Sequence, residues 1–170
     1  MPLIPFKHLL NIINFFRKTE NECGSEALVN VYWDKHDSTY IIDIPEQTAS
    51  PASVHGSTNP AYSNDRYIHY MGIHSHCNMG AFFSEADNKD EQATRVYTVI
   101  GNVRSDFPEI KARISNGGTH LEIDPNTVFE DYNRKKAQSN AWFSQLQKRV
   151  GDITGMLFGI FSRKNGGGVK

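Results

Sequence analysis

The chain has 170 residues, of which 38% are hydrophobic and 22% charged, so it has the length and apolar content of one globular domain with a short appendage. Its formal net charge of −1 offers no long-range attraction to nucleic acid or to an anionic membrane, and we expect neither as a partner. The two cysteines, Cys23 and Cys77, cannot form a disulfide scaffold, which favours a reducing, cytoplasmic setting.

Residues 1–19 predict an N-terminal helix with one apolar face. Arg17 and Lys18 follow the apolar run instead of preceding it, which argues against an export signal. Asn11 and Asn14 interrupt the run, which is also too short to cross a bilayer. We therefore expect this helix to pack on its own domain.

Two β-rich runs come next, residues 26–34 (EALVNVYWD) and residues 39–44 (TYIIDI), and the polar residues 35–38 between them predict a hairpin. Residues 45–65 hold three of the seven prolines together with many Ser, Thr and Asn, which predicts a loop with little room for regular structure. Residues 66–74 (RYIHYMGIH) are apolar again and predict a strand that ends on a histidine.

From residue 84 the spacing of apolar residues changes to that of a helix, which Gly101 would end. The apolar residues at three- and four-residue steps are Ala86, Ala93, Val96, Val99 and Ile100. Residues 109–115 and 119–124 then flank an Asn-Gly-Gly sequence at residues 116–118, which is a strong hairpin signal.

After Pro125 the pattern is helical again and ends in a flexible tail, residues 165–170. This C-terminal segment carries one apolar stripe, formed by Trp142, Leu146, Val150, Ile153, Leu157 and Ile160. The chain thus divides into an N-terminal helix (1–19), an α/β domain (20–131) and a C-terminal helical extension (132–170). The extension is suited to packing, oligomerisation or the docking of a partner protein.

Residues 72–87 (GIHSHCNMGAFFSEAD) gather groups that can hold a metal. His74 and His76 are two residues apart on a predicted strand, so their imidazoles share a face and can aim at one point. Asp87, at the start of the following helix, would supply a third ligand. Two neutral nitrogens and one oxygen leave a fourth position of a tetrahedral zinc open, as in catalytic sites.

Each part of this pattern also has a simpler structural interpretation. Ser84 is a plausible helix N-cap, with Asp87 in the first turn, where a carboxylate favours the helix dipole. Two histidines on a strand are more often half-exposed strand residues than a ligand pair. The joint spacing of H-x-H, seven residues and S-x-x-D makes coincidence improbable, and capping and catalysis do not exclude each other at Ser84.

The same residues match, position for position, the metal motif of the JAMM (JAB/MPN) metalloproteases, which this chain therefore resembles. The resemblance implies a mixed β-sheet flanked by helices, similar to the cytidine deaminase architecture. It also implies that His74, His76 and Asp87 bind Zn²⁺ and that Ser84 helps to hold the oxyanion. Known relatives remove ubiquitin or ubiquitin-like modifiers from lysines, or process the C-termini of such modifiers.

The family also has a glutamate before the histidines that serves as general base. We prefer Glu26, which opens a β-rich run, and place Glu22 second because it comes shortly before a glycine. Glu46 lies in a predicted loop too close to the histidines. A solvated glutamate remains the simpler interpretation of each one taken singly.

Our leading hypothesis is a deubiquitinase-like zinc metallopeptidase that hydrolyses a peptide or isopeptide bond at the C-terminus of a ubiquitin-like modifier. Glu26 would activate water, and Ser84 and the metal would stabilise the oxyanion. The alternative is a non-catalytic scaffold of the same fold that acts in protein interaction through its C-terminal helix. Inactive relatives usually lose metal ligands, and this chain keeps all three.

Overall fold

Apolar residues on one face of the N-terminal segment form helix α1, Phe6–Cys23. Its buried apolar side chains are Leu9, Ile12, Ile13 and Phe16. The helix ends at Gly24, whose positive φ of 62° lets its N–H return to the Glu20 carbonyl. As the sequence predicts, the apolar face of this helix packs on its own domain.

The computed structural model describes residues 1–133, of which Met1–Tyr132 form one compact unit. Strands and one further helix follow α1 in chain order. They are β1 (Leu28–Asp34), β2 (Thr39–Asp43), β3 (Gln47–Ser50), β4 (Ser53–Gly56), β5 (Tyr67–Ser75), α2 (Glu85–Asp90), β6 (Arg95–Gly101), β7 (Glu109–Asn116) and β8 (Thr119–Ile123). The C-terminal helix predicted after Pro125 lies, from residue 134 onward, outside the described residues.

Six strands form one sheet in the order β2-β1-β5-β6-β7-β8, and β3 pairs with β4 in a separate hairpin. All neighbours in the large sheet are antiparallel except β5 and β6, which run parallel. Both predicted hairpins of this sheet are confirmed. At the β7–β8 turn, Gly117 and Gly118 have φ values of 56° and 80°, which a side chain would disfavour.

The prediction that residues 45–65 form a loop is wrong in part, because this segment contains the β3–β4 hairpin. The hairpin is fastened to the start of β1 by the side chain of Gln47, which accepts from the Leu28 N–H (2.7 Å) and donates to the Leu28 carbonyl (3.2 Å). Its strands are only four residues long, so no hydrophobic alternation marks them in the sequence.

The prediction of one helix from residue 84 to Gly101 is also wrong. Helix α2 ends at Asp90, and Arg95–Gly101 is strand β6 in the middle of the sheet. The β-branched residues of this segment favour a strand, and pairing with β5 on one side and β7 on the other overrides the helical spacing.

The two faces of the sheet have different surroundings. Helix α1 covers one face, where its apolar side chains join those of the central strands, including Val29, Val31, Met71, Ile73 and Ile100. The β3–β4 hairpin and α2 stand on the opposite face, on either side of a cleft. Within residues 1–133, no helix is both long and apolar enough to cross a membrane.

Candidate metal centre

Three side chains with metal-binding atoms meet at the end of β5. The Nε2 atoms of His74 and His76 are 3.2 Å apart, and Asp87 Oδ1 is 3.3 Å from His74 Nε2. One ligand atom from each of the three residues lies within 4.8 Å of the others. Only 8% of His74 and 4% of His76 is exposed, so the group sits at the bottom of the cleft.

The residue between the two histidines fixes the end of β5 to the segment before β1. Ser75 Oγ accepts a hydrogen bond from the Ala27 N–H (2.9 Å), and the Ser75 N–H donates to the Ala27 carbonyl (3.0 Å). Because side chains alternate along a strand, Ser75 faces away from the metal-binding group. These two bonds bring Glu26, next to Ala27, beside the histidines.

Helix α2 presents Asp87 through a capping box. Ser84 donates to Asp87 Oδ2 from its N–H (2.6 Å) and from its hydroxyl (2.7 Å), and Ser84 Oγ accepts from the Asp87 N–H (3.2 Å). Asp87 Oδ1 is left to face His74. The capping interpretation of Ser84 is therefore correct, and it is compatible with a metal-binding role for Asp87.

The loop between His76 and Ser84 is held by the chain at the end of β6. The His76 N–H donates to the Ile100 carbonyl (2.9 Å), and the Asn102 N–H donates to the Met79 carbonyl (2.7 Å). Gly101 lies so close to this loop that a Cβ there would be 2.3 Å from the backbone of residues 80 and 81. This close backbone contact and the two hydrogen bonds hold the loop that connects the histidines to α2 against the end of β6.

A buried arginine on β7 holds α2 against the sheet. Arg113 Nε donates to Glu91 Oε2 and Arg113 Nη1 donates to Asn88 Oδ1, both at 2.6 Å. The guanidinium also lies 3.9 Å from the ring centre of Phe83, just before the helix. Burial raises the pKa of Glu91 to about 7, while the hydrogen bond from Arg113 opposes this rise.

Glu26 is the glutamate that lies in the cleft. It is only 3% exposed, and burial, followed by the negative charge of Asp87, raises its pKa to about 7. Its N–H donates to the Ser50 carbonyl of β3 (2.9 Å). Glu22 instead lies on the exposed face of α1 near Lys18, and Glu46 is exposed as well, so neither lines the cleft.

Burial lowers the pKa of both His74 and His76, although the charge of Asp87 opposes the effect. Both imidazoles are therefore neutral near pH 7, which is the form that binds a metal. The ring of Phe82 covers His76, with 4.5 Å between the ring centres.

A comparison with protein-family profiles matches residues 12–115 to the prokaryotic homologs of the JAB domain. The chain belongs to this family. The resemblance carried by residues 72–87 predicted it, and the match confirms that prediction. The JAB-domain family includes metallo-isopeptidases and also members without catalytic activity.

A solved structure has a similar fold. The solution structure of protein DSY2949 from Desulfitobacterium hafniense aligns with a TM-score of 0.56 and 17% sequence identity, over 73% of this chain and 90% of that one. At this identity the likeness concerns the fold alone, and it confirms the predicted mixed sheet flanked by helices. The search of curated proteins finds no match.

The cleft of this JAB domain has a volume of about 470 Å³ and extends well beyond the three metal-binding side chains. Residues 52–58 of the β3–β4 region form one wall, and α2 forms the other. His69, Arg95 and Tyr97 line its far end. No local motif marks these three residues in the sequence, since their place on the cleft face depends on long-range strand pairings.

Proposed function

We propose that this JAB domain is a zinc-dependent hydrolase that cleaves a peptide or isopeptide bond. One observation carries the proposal: the ligand atoms of His74, His76 and Asp87 converge at the bottom of a cleft that also contains the buried carboxyl group of Glu26. A metal-binding group beside an acid whose pKa is near 7 is the arrangement that hydrolysis at neutral pH needs.

The donor set fits zinc. Two imidazole nitrogens and one carboxylate oxygen are ligands that catalytic zinc sites use, with a further position left for water or substrate. Two nitrogens at zinc-ligand distance in a tetrahedral site are about 3.4 Å apart, and the observed separations are 3.2 and 3.3 Å.

When bound, zinc supplies Lewis acidity to water and to the scissile carbonyl group. Glu26, as a carboxylate, accepts a proton from the attacking water and then passes it to the leaving amine. Burial raises the pKa of this group to about 7 in the metal-free protein, and the charge of a bound zinc would lower it toward the carboxylate form that accepts the proton.

Ser84 is the proposed donor to the oxygen of the scissile carbonyl. In the structure its hydroxyl donates to Asp87 Oδ2, so the proposed role requires the hydroxyl to turn away from this oxygen. Asp87 Oδ2 then keeps the hydrogen bond from the Ser84 N–H, and the metal-binding carboxylate stays in place. A donor aimed at the developing oxyanion typically contributes on the order of 10²-fold or more in rate.

As substrate we propose a protein or peptide with an extended segment, such as the C-terminus of a ubiquitin-like modifier. Two features support this choice: the cleft runs along β5 instead of closing around a small molecule, and the family includes isopeptidases. A partner protein bound through the C-terminal helix stays a prediction.

Metal content is the test of this proposal. Protein purified without added metal is expected to hold one zinc per chain by elemental analysis, and His74→Ala and Asp87→Ala are expected to lose it. The matched controls His36→Ala and Asp65→Ala, at exposed positions, should keep it. Glu26→Gln should keep the zinc and lose hydrolysis of modifier-linked substrates. Absence of zinc after reconstitution would overturn the proposal in favour of a non-catalytic role.

A further inference from the structure

Within residues 1–133, Arg95 is a cation in the cleft that has no anionic partner, and its guanidinium lies 5.9 Å from the ring centre of Tyr97. Arg95 opens β6 on the cleft face, is partly buried, and lines the same cleft as His74 and Asp87. Among the residues that the structure describes, no carboxylate lies within ion-pair distance of its guanidinium. Its Nη1 contacts His69 Nδ1, and its Nε is buried without a hydrogen-bond partner in residues 1–133.

His69 reaches the cleft face because of a β-bulge. In the β1–β5 ladder Val31 pairs with Met71 and Tyr32 pairs with His69, so Tyr70 is an extra residue on β5. One extra residue reverses the alternation of side chains, and His69 therefore shares a face with His74. Bulges of this kind often aim a side chain into a functional site.

The Arg95–His69 pair offers hydrogen-bond donors. Burial, followed by the charge of Arg95, lowers the pKa of His69 to about 4, so its ring is neutral near pH 7. Since Nδ1 accepts from Arg95, the ring proton lies on Nε2, which is buried near the backbone of Met71 and makes no hydrogen bond of good geometry within the described part of the chain. The pair thus presents a positive charge and no acceptor.

The acids on the neighbouring helix are directed elsewhere. Asp90 Oδ2 lies 3.9 Å from His55 Nδ1, across the mouth of the cleft. Glu91 is bound to Arg113. A partly buried guanidinium that meets only a neutral imidazole and an aromatic ring keeps N–H donors and a positive charge for a ligand anion. Planar carboxylates match the fork of a guanidinium better than other common groups in proteins.

We propose, building on the hydrolase function above, that Arg95 and His69 form a subsite for a carboxylate of the substrate. The parallel register places His74 beside Val99, four residues along β6 from Arg95, which is about 13 Å. An extended peptide covers this distance with about four residues. The carboxylate would therefore lie three or four residues from the cleaved bond.

The floor between the two ends carries no side chain at its centre. It is formed by Gly72, which pairs with Tyr97, and a Cβ at this glycine would already touch the tyrosine ring at 3.5 Å. The carboxylate can belong to the C-terminus of the peptide or to an acidic side chain. The two sources share the same chemistry, so the experiment must separate them.

Peptide binding to the metal-free full chain tests the subsite without any turnover. Three probes are titrated in ¹⁵N NMR experiments near pH 7: acetyl-tetra-alanine with a free carboxylate, the same peptide as an amide, and the amide with glutamate as its last residue. We expect one or both carboxylate probes to bind about tenfold more tightly than the neutral amide. The probe with the larger preference identifies the source.

The preference should disappear in Arg95→Gln and persist in part in Arg95→Lys, which keeps the charge but not the fork. Lys111→Gln removes one positive charge from an exposed site on β7 and should keep the full preference. If Arg95→Gln fails to fold, the Arg95→Lys comparison decides. Equal binding of all three probes, or none at millimolar concentration, would overturn the subsite. Carboxylate-selective binding by a chain that hydrolyses nothing would overturn only the proposed function.

Discussion

At the scale of single residues, Asp87 divides its carboxylate between two tasks. Oδ2 accepts both donors of Ser84 and closes the helix cap, while Oδ1 faces His74. The same hydrogen bonds that stabilise the first turn of α2 therefore orient the proposed metal ligand. The sequence leaves open whether this position is part of a helix cap or of a metal site. The structure is compatible with both roles at once.

Glu26 is expected to make the stability of the metal-free chain depend on pH. Its raised pKa means that the folded state binds more protons than the unfolded state between about pH 4.5 and pH 7, so stability falls as pH rises through this range. Glu26→Gln, which cannot ionise, should remove this fall. We expect the variant to be more stable than the wild type near pH 8, by on the order of 1 kcal/mol, and nearly equal to it near pH 4.

Urea denaturation in the presence of a chelator at both pH values measures this effect. Glu22→Gln serves as the matched control, because this glutamate is exposed on α1 and should change neither value. The quantity to compare is the difference in the free energy of unfolding between Glu26→Gln and the wild type. If this difference is the same near pH 8 as near pH 4, Glu26 is not held in an environment that favours its protonated form.

The sequence predicts individual residues well where their spacing is local. The histidines and Asp87 lie within fourteen positions, and two simple rules, alternation on a strand and the first turn of a helix, bring them together. His69 and Arg95 follow no such rule. Their meeting depends on a bulge opposite Val31 and on the parallel pairing of β5 with β6, which are long-range features.

At the scale of elements, α2 is a helix of six residues, too short to be stable by itself in water. It keeps its position through contacts with β7, and Arg113 supplies several of them at once. Its guanidinium reaches residues before, within and just after the helix, namely Phe83, Asn88 and Glu91. The position of Asp87 therefore depends on a residue that is no part of the metal-binding group.

Arg113→Met should weaken zinc binding without removing a ligand. Mutation of a residue that orients metal ligands typically lowers metal affinity by about tenfold to a hundredfold. We expect a loss in this range, measured by competition with a chelating dye. Arg113→Lys should recover only part of it, since a lysine carries its donors on one nitrogen, whereas Arg113 reaches Asn88 and Glu91 from two different nitrogens.

Arg66→Met is the matched control for this prediction. It removes another arginine–carboxylate pair, with Asp34, at a distance from α2. This variant should lose stability and keep its zinc affinity. Equal losses of zinc affinity in the two variants would mean that Arg113 acts on overall stability and not on the position of Asp87.

The sequence predicts a secondary-structure element correctly when neighbouring residues determine it, and less well when distant parts of the chain do. The β1–β2 and β7–β8 hairpins depend on neighbouring residues, and both are predicted from β-rich runs and turn residues. Strand β6 was mistaken for a helix because its residues Val96, Val99 and Ile100 also fit helical spacing. What makes it a strand is its place between β5 and β7, which depends on residues far away in the chain.

At the scale of the described domain, the large sheet lies between the main apolar core and the cleft. The main apolar cluster lies between α1 and one sheet face, and the cleft occupies the other. Ile12→Val, which removes one buried methylene from α1, should lower the free energy of unfolding by about 0.5–1.5 kcal/mol. Zinc affinity of the folded protein should stay unchanged, because no ligand touches this cluster.

Chemical denaturation and zinc titration of the same Ile12→Val preparation measure both quantities. A loss of zinc affinity in proportion to the loss of stability would show that the two faces of the sheet are coupled, and that the core beneath β5 positions the histidines as strongly as the hydrogen bonds of Ser75 do.

The close backbone approach at Gly101 means that a substitution outside the metal-binding motif would disturb the site. A single methyl group there would act as a wedge between β6 and the loop that connects the histidines to α2. The ligands would all survive in the sequence, yet they would be pushed apart in space. In this chain, the two histidines and the aspartate therefore depend on a residue without a side chain at the end of β6 to stay within reach of one another.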